Sequence, residues 1–217
     1  MKFSKTGRAK YISHLDLMHT MQRSISRAEI PVWFTEGFNQ HAYISIAMPL
    51  STGFSGECEF MDFNMMADSV PEDAVQRINE AFPEGLSAQE IYPLENGGRP
   101  VRDIAYSLYV ITLDFDEGVP EEFLRDANLL FDKDEILILK RSKSGETEVN
   151  MKEFIREISF ESQENAVKIF VLTAAGNTNL SPQYITKALE KYCPQHKIDG
   201  AAYHRLKVYD KELCEFR

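Results

Sequence analysis

The chain has 217 residues, of which 43% are hydrophobic and 27% are charged, and its formal net charge is -10. This length and composition allow one large or two small folded domains, and they exclude disordered, collagen-like and coiled-coil chains. No run reaches the roughly 20 apolar residues of a membrane helix, and the opening run MKFSKTGRAK lacks the apolar core of a signal peptide. We therefore expect a cytoplasmic protein that does not associate with membranes.

The cysteines and the missing motifs exclude several kinds of chemistry. The chain has three cysteines, Cys58, Cys193 and Cys214, and no two of them form a CxxC motif. An odd number without such a pair favours reduced thiols over a disulfide framework or a zinc site. The three cysteines are also too dispersed for the three closely spaced ligands of a radical S-adenosylmethionine (SAM) iron–sulfur cluster. P-loop, dinucleotide, HExxH and GxSxG motifs are absent. The sequence predicts no cofactor.

Positive charge is concentrated at the start of this acidic chain. Between Met1 and Ala28 there are six basic residues and one acidic residue, a formal charge of +5, so the remainder carries -15. A basic segment could bind an anion such as phosphate. A solvated helix face explains the same residues, because lysine and arginine normally lie at the surface.

The first 97 residues predict the order β-α-β-β-α-β. A strand or hairpin is expected over Lys2–Ser13, and Ser13 with Asp16 predicts a capped helix start. The apolar stripe of this helix is expected to consist of Leu15, Met18, Met21, Ile25 and Ala28. The next strand is predicted to begin at Val32–Phe34, to break at the Gly37 turn and to resume at Tyr43–Met48. Further strands are predicted at Glu57–Met65 and Leu86–Tyr92, with a helix between them that begins near Ser69 and carries Val75, Ile78 and Phe82.

A linker is predicted at Glu95–Pro100, which contains two adjacent glycines and a proline. Beyond it the same order repeats with one additional hairpin. The predicted elements are a strand at Ile104–Phe115, a helix after Pro120, hairpins over Glu135–Met151 and Ile155–Thr173, a helix capped by Ser181 and a strand at Tyr203–Tyr209. The sequence therefore predicts an α+β fold of two tandem ferredoxin-like units, residues 1–97 and residues 98–217.

Two clusters in the first unit could carry function. Ser13–Asp16 lies where a strand leads into a helix, a position that favours anions, although capping alone accounts for Ser13 and Asp16. Glu36–His41, with Ser45 beyond it, contains a glycine, hydrogen-bonding side chains and Phe38, which could stack on a base or instead return to the core.

His14, Asp16 and His41 have side chains suited to a metal site or to acid–base cleavage of RNA, provided that the two clusters meet. His19, His196 and His204 lack comparable neighbours, and we interpret them as surface or strand residues. In the second unit, Lys140, Arg141 and Lys143 form a basic hairpin tip that could contact phosphate, although such a tip is more often simply solvated.

Several runs resemble a known family. Ser13–Asp16 (SHLD), Gly37–Ile46 (GFNQHAYISI) and Pro49–Gly53 (PLSTG) are similar to the opening of the bacterial radical-SAM-linked family, a domain of unknown function found alone or joined to cobalamin-type radical SAM proteins. The chain departs from the family pattern at Gln40 and Ala42, where prolines are usual. The later runs VNMKEFI and GNTNLSPQYITKAL extend the resemblance over most of the chain.

The resemblance implies a radical SAM protein as partner. With the basic start of the chain, it leads us to expect a non-catalytic accessory protein that binds RNA or a ribonucleoprotein substrate. A metal-dependent or RNA-cleaving enzyme and a protein–protein adaptor remain alternatives. The predicted binding residues are Arg8, Lys10, His14, Asp16, Arg23, Arg27, Glu36, Gly37, Phe38, Asn39, His41, Ser45, Lys140, Arg141 and Lys143.

Overall fold

The computed structural model describes residues 1–67, 69–94, 103–142, 145–176 and 178–216. They form two compact units, one within residues 1–101 and one within residues 102–216. The predicted linker Glu95–Pro100 lies outside the described residues, so the division after residue 97 stays a prediction. The predicted mixed α+β class is confirmed.

The first unit contains two helices and four strands. In chain order they are β1 (Lys2–Lys5), α1 (His14–Arg27), β2 (Ile44–Ala47), β3 (Phe54–Phe63), α2 (Ala74–Ala81) and β4 (Leu86–Glu90). The strands lie in the order β4-β1-β3-β2, and each neighbouring pair is antiparallel. The predicted order of elements in this unit is confirmed.

Helix α1 begins where the sequence predicts, but one residue of its predicted stripe is wrong. Leu17, Met21 and Ile25 are buried in the core, whereas Leu15 is 69% exposed. At about 100° per residue, Leu15 lies roughly 200° around the helix from Leu17, so it faces the opposite side. The exposed side of α1 therefore carries an apolar residue as well as polar ones.

Three predicted elements of the first unit differ from those in the structure. A 3-10 helix, Gly7–Tyr11, replaces the expected hairpin after β1. The predicted strand Val32–Phe34 consists only of isolated bridges, from Val32 to Met65 and from Phe34 to Ala42. Helix α2 begins at Ala74 rather than near Ser69.

The second unit contains an additional hairpin, as predicted. Its elements are β5 (Tyr106–Asp114), α3 (Phe123–Phe131), β6 (Leu137–Ser142), β7 (Gly145–Asn150), β8 (Ile155–Ser162), β9 (Ala166–Ala174), α4 (Gln183–Tyr192) and β10 (Gly200–Tyr209). One antiparallel sheet has the order β10-β5-β9-β8, and β6 and β7 pair separately.

Most apolar residues expected on the buried sides of the two helices of the second unit are buried, but Tyr192 of α4, which was expected there too, is 37% exposed. Phe123, Ala127 and Leu130 of α3 and Ile185 and Leu189 of α4 are all at most 3% exposed. The expected cap at Ser181 is wrong, because Pro182 occupies the N-cap position and no side chain caps the helix.

Candidate functional site

The start of α1 is determined by a local hydrogen-bonding pair. The Ser13 hydroxyl accepts from the Asp16 backbone N–H at 3.1 Å and donates to Asp16 Oδ2 at 2.7 Å. This satisfies an otherwise unpaired amide of the first turn and places a carboxylate near the positive end of the helix. Both side chains are therefore engaged in capping, and His14 is the exposed first residue of the helix.

The loop from Trp33 to Tyr43 lies beside α1 and is closed by backbone hydrogen bonds. The Tyr43 N–H donates to the Trp33 carbonyl, and the Thr35 N–H donates to the His41 carbonyl, both at 2.9 Å. These bonds leave Glu36–Gln40 as the exposed tip of the loop. Gly37 at this tip has a φ of +121°, a conformation that glycine adopts without steric cost.

His41 is held in place at the base of this tip. Its Nδ1 lies 3.0 Å from the Asn39 carbonyl oxygen and 3.3 Å from Thr35 Oγ1. The His41 backbone N–H donates to the same Thr35 oxygen at 3.2 Å. The ring is therefore fixed by its own loop although the residue is exposed.

Helix α1 and the loop together form a groove of about 500 Å³, which we call the α1 groove. Gln22 joins its two sides, because its side-chain amide donates to the Ala42 carbonyl at 3.3 Å. The lining residues are His19, Gln22, Arg23, Ser26 and Arg27 from the helix and Phe34, Gln40, His41 and Ala42 from the loop. The structure thus brings together Arg23 and Arg27 of α1 with His41 of the loop.

Positive charge in the α1 groove is not balanced by acidic residues. Among the described residues that line it, none is an aspartate or glutamate. Arg27 is anchored, with its guanidinium donating to the Ala81 carbonyl at 2.7 Å and to Ser24 Oγ at 3.3 Å. Arg23 and His19 are exposed and form no hydrogen bond or ion pair within the described part of the chain. The groove therefore presents an anchored and an unpaired cation to an anionic ligand.

The same loop carries four large aromatic side chains that are exposed to solvent. Phe38 at the tip is completely exposed, and Trp33, Phe34 and Tyr43 are 39%, 37% and 50% exposed. Trp33 and Tyr43 contact each other edge to face, with ring centroids 5.3 Å apart. The alternative in which Phe38 returns to the core is therefore wrong. Exposed aromatic groups in this number are typical of binding surfaces.

The other predicted residues of the first unit lie outside the α1 groove. Arg8 and Lys10 belong to the 3-10 helix Gly7–Tyr11, and the Lys10 ammonium lies 5.0 Å from the centre of the Tyr11 ring. Ser45 is exposed on β2 between the buried Ile44 and Ile46. Glu36, Gly37 and Asn39 share the exposed loop tip with Phe38.

The predicted basic hairpin tip belongs to the second unit. Lys140 lies over the ring of Phe154, with its Nζ 4.5 Å from the ring centre, and the Arg141 N–H donates to the Tyr184 hydroxyl at 2.9 Å. Lys143 lies outside the described residues.

Sequence reasoning missed His19 and Phe34, and it included Gln40 only as part of the Glu36–His41 run. His19, Arg23 and Arg27 recur at intervals of four residues, which places them along the exposed side of one helix. That spacing was a usable signal, whereas the approach of the loop to α1 was not visible in the sequence. His14 and Asp16 do not line the α1 groove, so His41 is grouped with His19 rather than with them.

The interpretation of His196 as a surface or strand residue is wrong, because this residue of the second unit is only 7% exposed and lies outside the strands. Its Nε2 lies 2.8 Å from Asp126 Oδ2, and this contact, together with a hydrogen bond from Gln195, lowers the pKa of Asp126. Burial raises the pKa of the nearby Cys193 thiol, the reverse of what an activated nucleophile needs. We interpret the cluster as structural.

Two kinds of feature are absent from the described ranges. No group of three or more His, Cys, Asp or Glu side chains there is placed to hold a metal ion. No helix in that part of the chain combines the length and apolar character needed to cross a membrane.

Comparison with curated proteins gives no match. Comparison with protein families gives a match over residues 1–182 to the family described as "Uncharacterized protein conserved in bacteria (DUF2344)". The match includes α1, the loop from Trp33 to Tyr43 and most of the second unit. The chain therefore belongs to this family of proteins conserved in bacteria, DUF2344.

Proposed function

We propose that the chain is a non-catalytic accessory protein that binds RNA in the α1 groove and presents it to a radical SAM partner. The observation that carries the proposal is the combination in one groove of Arg23 and Arg27, unopposed by acidic residues, with the exposed aromatic side chains of the adjoining loop.

These two features correspond to the two parts of an RNA strand. Arginine guanidinium groups contact phosphate, and exposed aromatic rings stack on bases that are not already paired. Arg27 is held by the Ala81 carbonyl, so little of its conformational freedom remains to be lost on binding. Phe38 extends from the loop tip, where a base could stack on its ring.

The overall charge of -10 limits this function to a local surface. An acidic chain repels nucleic acid except where its cations are clustered, so a specific groove supports the proposal better than the total charge does. Arg8 and Lys10, which belong to the same basic segment of the sequence but lie outside the α1 groove, are proposed to make further contacts with phosphate.

The partner and the cellular location rest on other grounds. The radical SAM link rests on the resemblance of SHLD and GFNQHAYISI to the radical-SAM-linked family, and the cytoplasmic location rests on composition. For the fold, the β-α-β-β-α-β order and the antiparallel order 4-1-3-2 of the main strands in each unit support two ferredoxin-like units.

The direct test is an electrophoretic shift of total cellular RNA by the purified full chain at several salt concentrations. We expect a shift at low salt that weakens as salt rises, because phosphate contacts release counterions. Absence of a shift at low salt, or a shift indifferent to salt, would remove the proposal. Co-purification with a radical SAM protein that persists after ribonuclease treatment, without any RNA shift, would support the adaptor instead.

A further inference from the structure

We propose that His41 allows the α1 groove to distinguish RNA from DNA, by accepting a hydrogen bond at Nε2 from a ribose 2′-hydroxyl. This inference rests on the proposed RNA-binding function and adds the chemical group that is recognised. It follows from the hydrogen bonds that hold the ring.

The contact with Asn39 determines which ring nitrogen carries the proton. Nδ1 lies 3.0 Å from the Asn39 carbonyl oxygen, which can only accept, so Nδ1 is the donor. Thr35 Oγ1 lies 3.3 Å from the same nitrogen and already accepts from the His41 backbone N–H. Both loop contacts are therefore compatible with a proton on Nδ1.

The remaining nitrogen is then an acceptor. In the neutral imidazole with a proton on Nδ1, Nε2 carries the lone pair and can only accept. Nε2 has no hydrogen-bond partner within the described part of the chain. Because Nδ1 is turned towards the Asn39 carbonyl, Nε2 lies on the other side of the ring from this loop contact.

His41 Nε2 is a hydrogen-bond acceptor in a groove whose arginines are donors, so it would bind a different part of the RNA from the one that the arginines bind. Arg23 and Arg27 supply the donors that a phosphate needs, whereas a phosphate diester offers no proton to Nε2. The 2′-hydroxyl is the donor that the RNA backbone provides between successive phosphates, and DNA lacks it. His41 therefore complements the sugar, while the arginines complement the phosphates.

The test compares the full chain bound to three fluorescent oligonucleotides of equal length that carry the same base. They are oligouridylate, its 2′-deoxy form and its 2′-O-methyl form, measured by fluorescence anisotropy. The wild-type protein should bind oligouridylate about fivefold more tightly than either analogue, the size of one neutral hydrogen bond. The methyl ether retains the oxygen but not the proton, so it tests the direction of the bond.

Two variants separate the acceptor from the support of the loop. His41→Asn places an amide near the position of Nδ1, where it can still donate to the Asn39 carbonyl, but it has no acceptor at the position of Nε2. His41→Gln places an amide oxygen near Nε2. We expect His41→Asn to bind the three oligonucleotides equally and His41→Gln to retain part of the preference, with unchanged circular dichroism in both.

Three results would overturn the inference and leave RNA binding in place. They are equal wild-type affinity for the ribo and deoxy forms, equal affinity for the ribo and 2′-O-methyl forms, and an undiminished preference in His41→Asn. Failure of the wild-type protein to bind any of the three at low salt would instead overturn the proposed function itself.

Discussion

Ser13 and Asp16 exchange two hydrogen bonds at the start of α1, one from the serine hydroxyl to the carboxylate and one from the aspartate N–H to the hydroxyl. The pair accounts for two conspicuous polar residues of the SHLD run without a ligand. Ser13 and Asp16 therefore serve to start the helix. Ligand binding is expected in the α1 groove instead.

The first prediction is that Ser13→Ala lowers the free energy of unfolding by about 1 kcal/mol, the usual cost of losing a helix cap. Chemical denaturation measures the change. RNA affinity should remain within twofold of the wild-type value at a temperature where both proteins are folded. A large loss of affinity with little loss of stability would show that this end of α1 belongs to the binding surface.

The second prediction concerns two buried threonines with different surroundings. Thr173 Oγ1 on β9 is buried without a hydrogen-bond partner in the described part of the chain, whereas Thr186 Oγ1 on α4 accepts from the Tyr203 hydroxyl at 3.0 Å. Thr173→Val should therefore raise the free energy of unfolding by about 1 kcal/mol, because it removes an unsatisfied hydroxyl without changing the shape of the side chain.

Thr186→Val is the matched control and should lower the free energy of unfolding by about 1 kcal/mol. Urea denaturation of both variants and the wild type gives the comparison. If Thr173→Val destabilises the protein as much as Thr186→Val, the Thr173 hydroxyl has a partner, such as a buried water, and the prediction is wrong.

The third prediction is an acid sensitivity of the second unit. The contact with His196 is the main cause that lowers the pKa of Asp126, and the bond from Gln195 adds to it. A carboxyl group with a lower pKa in the folded state stabilises the protein above its unfolded pKa of about 3.9, and this contribution is lost as pH falls through the folded pKa.

We therefore expect the urea midpoint to fall as pH decreases from about 5 to 3, and to fall less steeply in Asp126→Asn. Glu135→Gln, which changes an exposed carboxyl group, serves as the control and should leave the slope near that of the wild type. Identical pH profiles for the wild type and Asp126→Asn would contradict the assignment.

The fourth prediction separates the core from the site. Met21 is completely buried on α1, so Met21→Asp should lower the free energy of unfolding by roughly 3 kcal/mol or more by burying an unpaired carboxyl group. His41 is exposed, so His41→Ala should change the melting temperature by only about 3 °C or less. Differential scanning calorimetry measures both. Equal destabilisation by the two substitutions would make His41 a structural residue.

The sequence predicted local features well and the convergence of distant segments poorly. Capping by Ser13, the stripe through Met21 and Ile25, and the additional hairpin of the second unit depend on residues close in the chain. Such features follow from helix and strand periodicity and from turn composition.

The α1 groove could not be predicted in the same way. It forms because the loop carrying His41 packs beside α1, and a bond such as that from Gln22 to the Ala42 carbonyl joins residues 20 positions apart. His196 was misinterpreted for the same reason, since its partner Asp126 is 70 positions away. Contacts of this kind depend on tertiary packing, which periodicity does not reveal.

The most direct measurement is the salt dependence of single-stranded RNA binding by the wild type, Arg23→Gln and Arg77→Gln. Arg23 has no partner among the described residues, whereas Arg77 of the same unit donates to the Glu29 carbonyl at 2.9 Å and pairs with Asp73 at 3.6 Å. If Arg23 contacts one phosphate, Arg23→Gln should weaken binding and reduce the slope of log K against log salt by about 0.7, while Arg77→Gln keeps the wild-type slope. Equal slopes for the wild type and Arg23→Gln would contradict phosphate binding in the α1 groove.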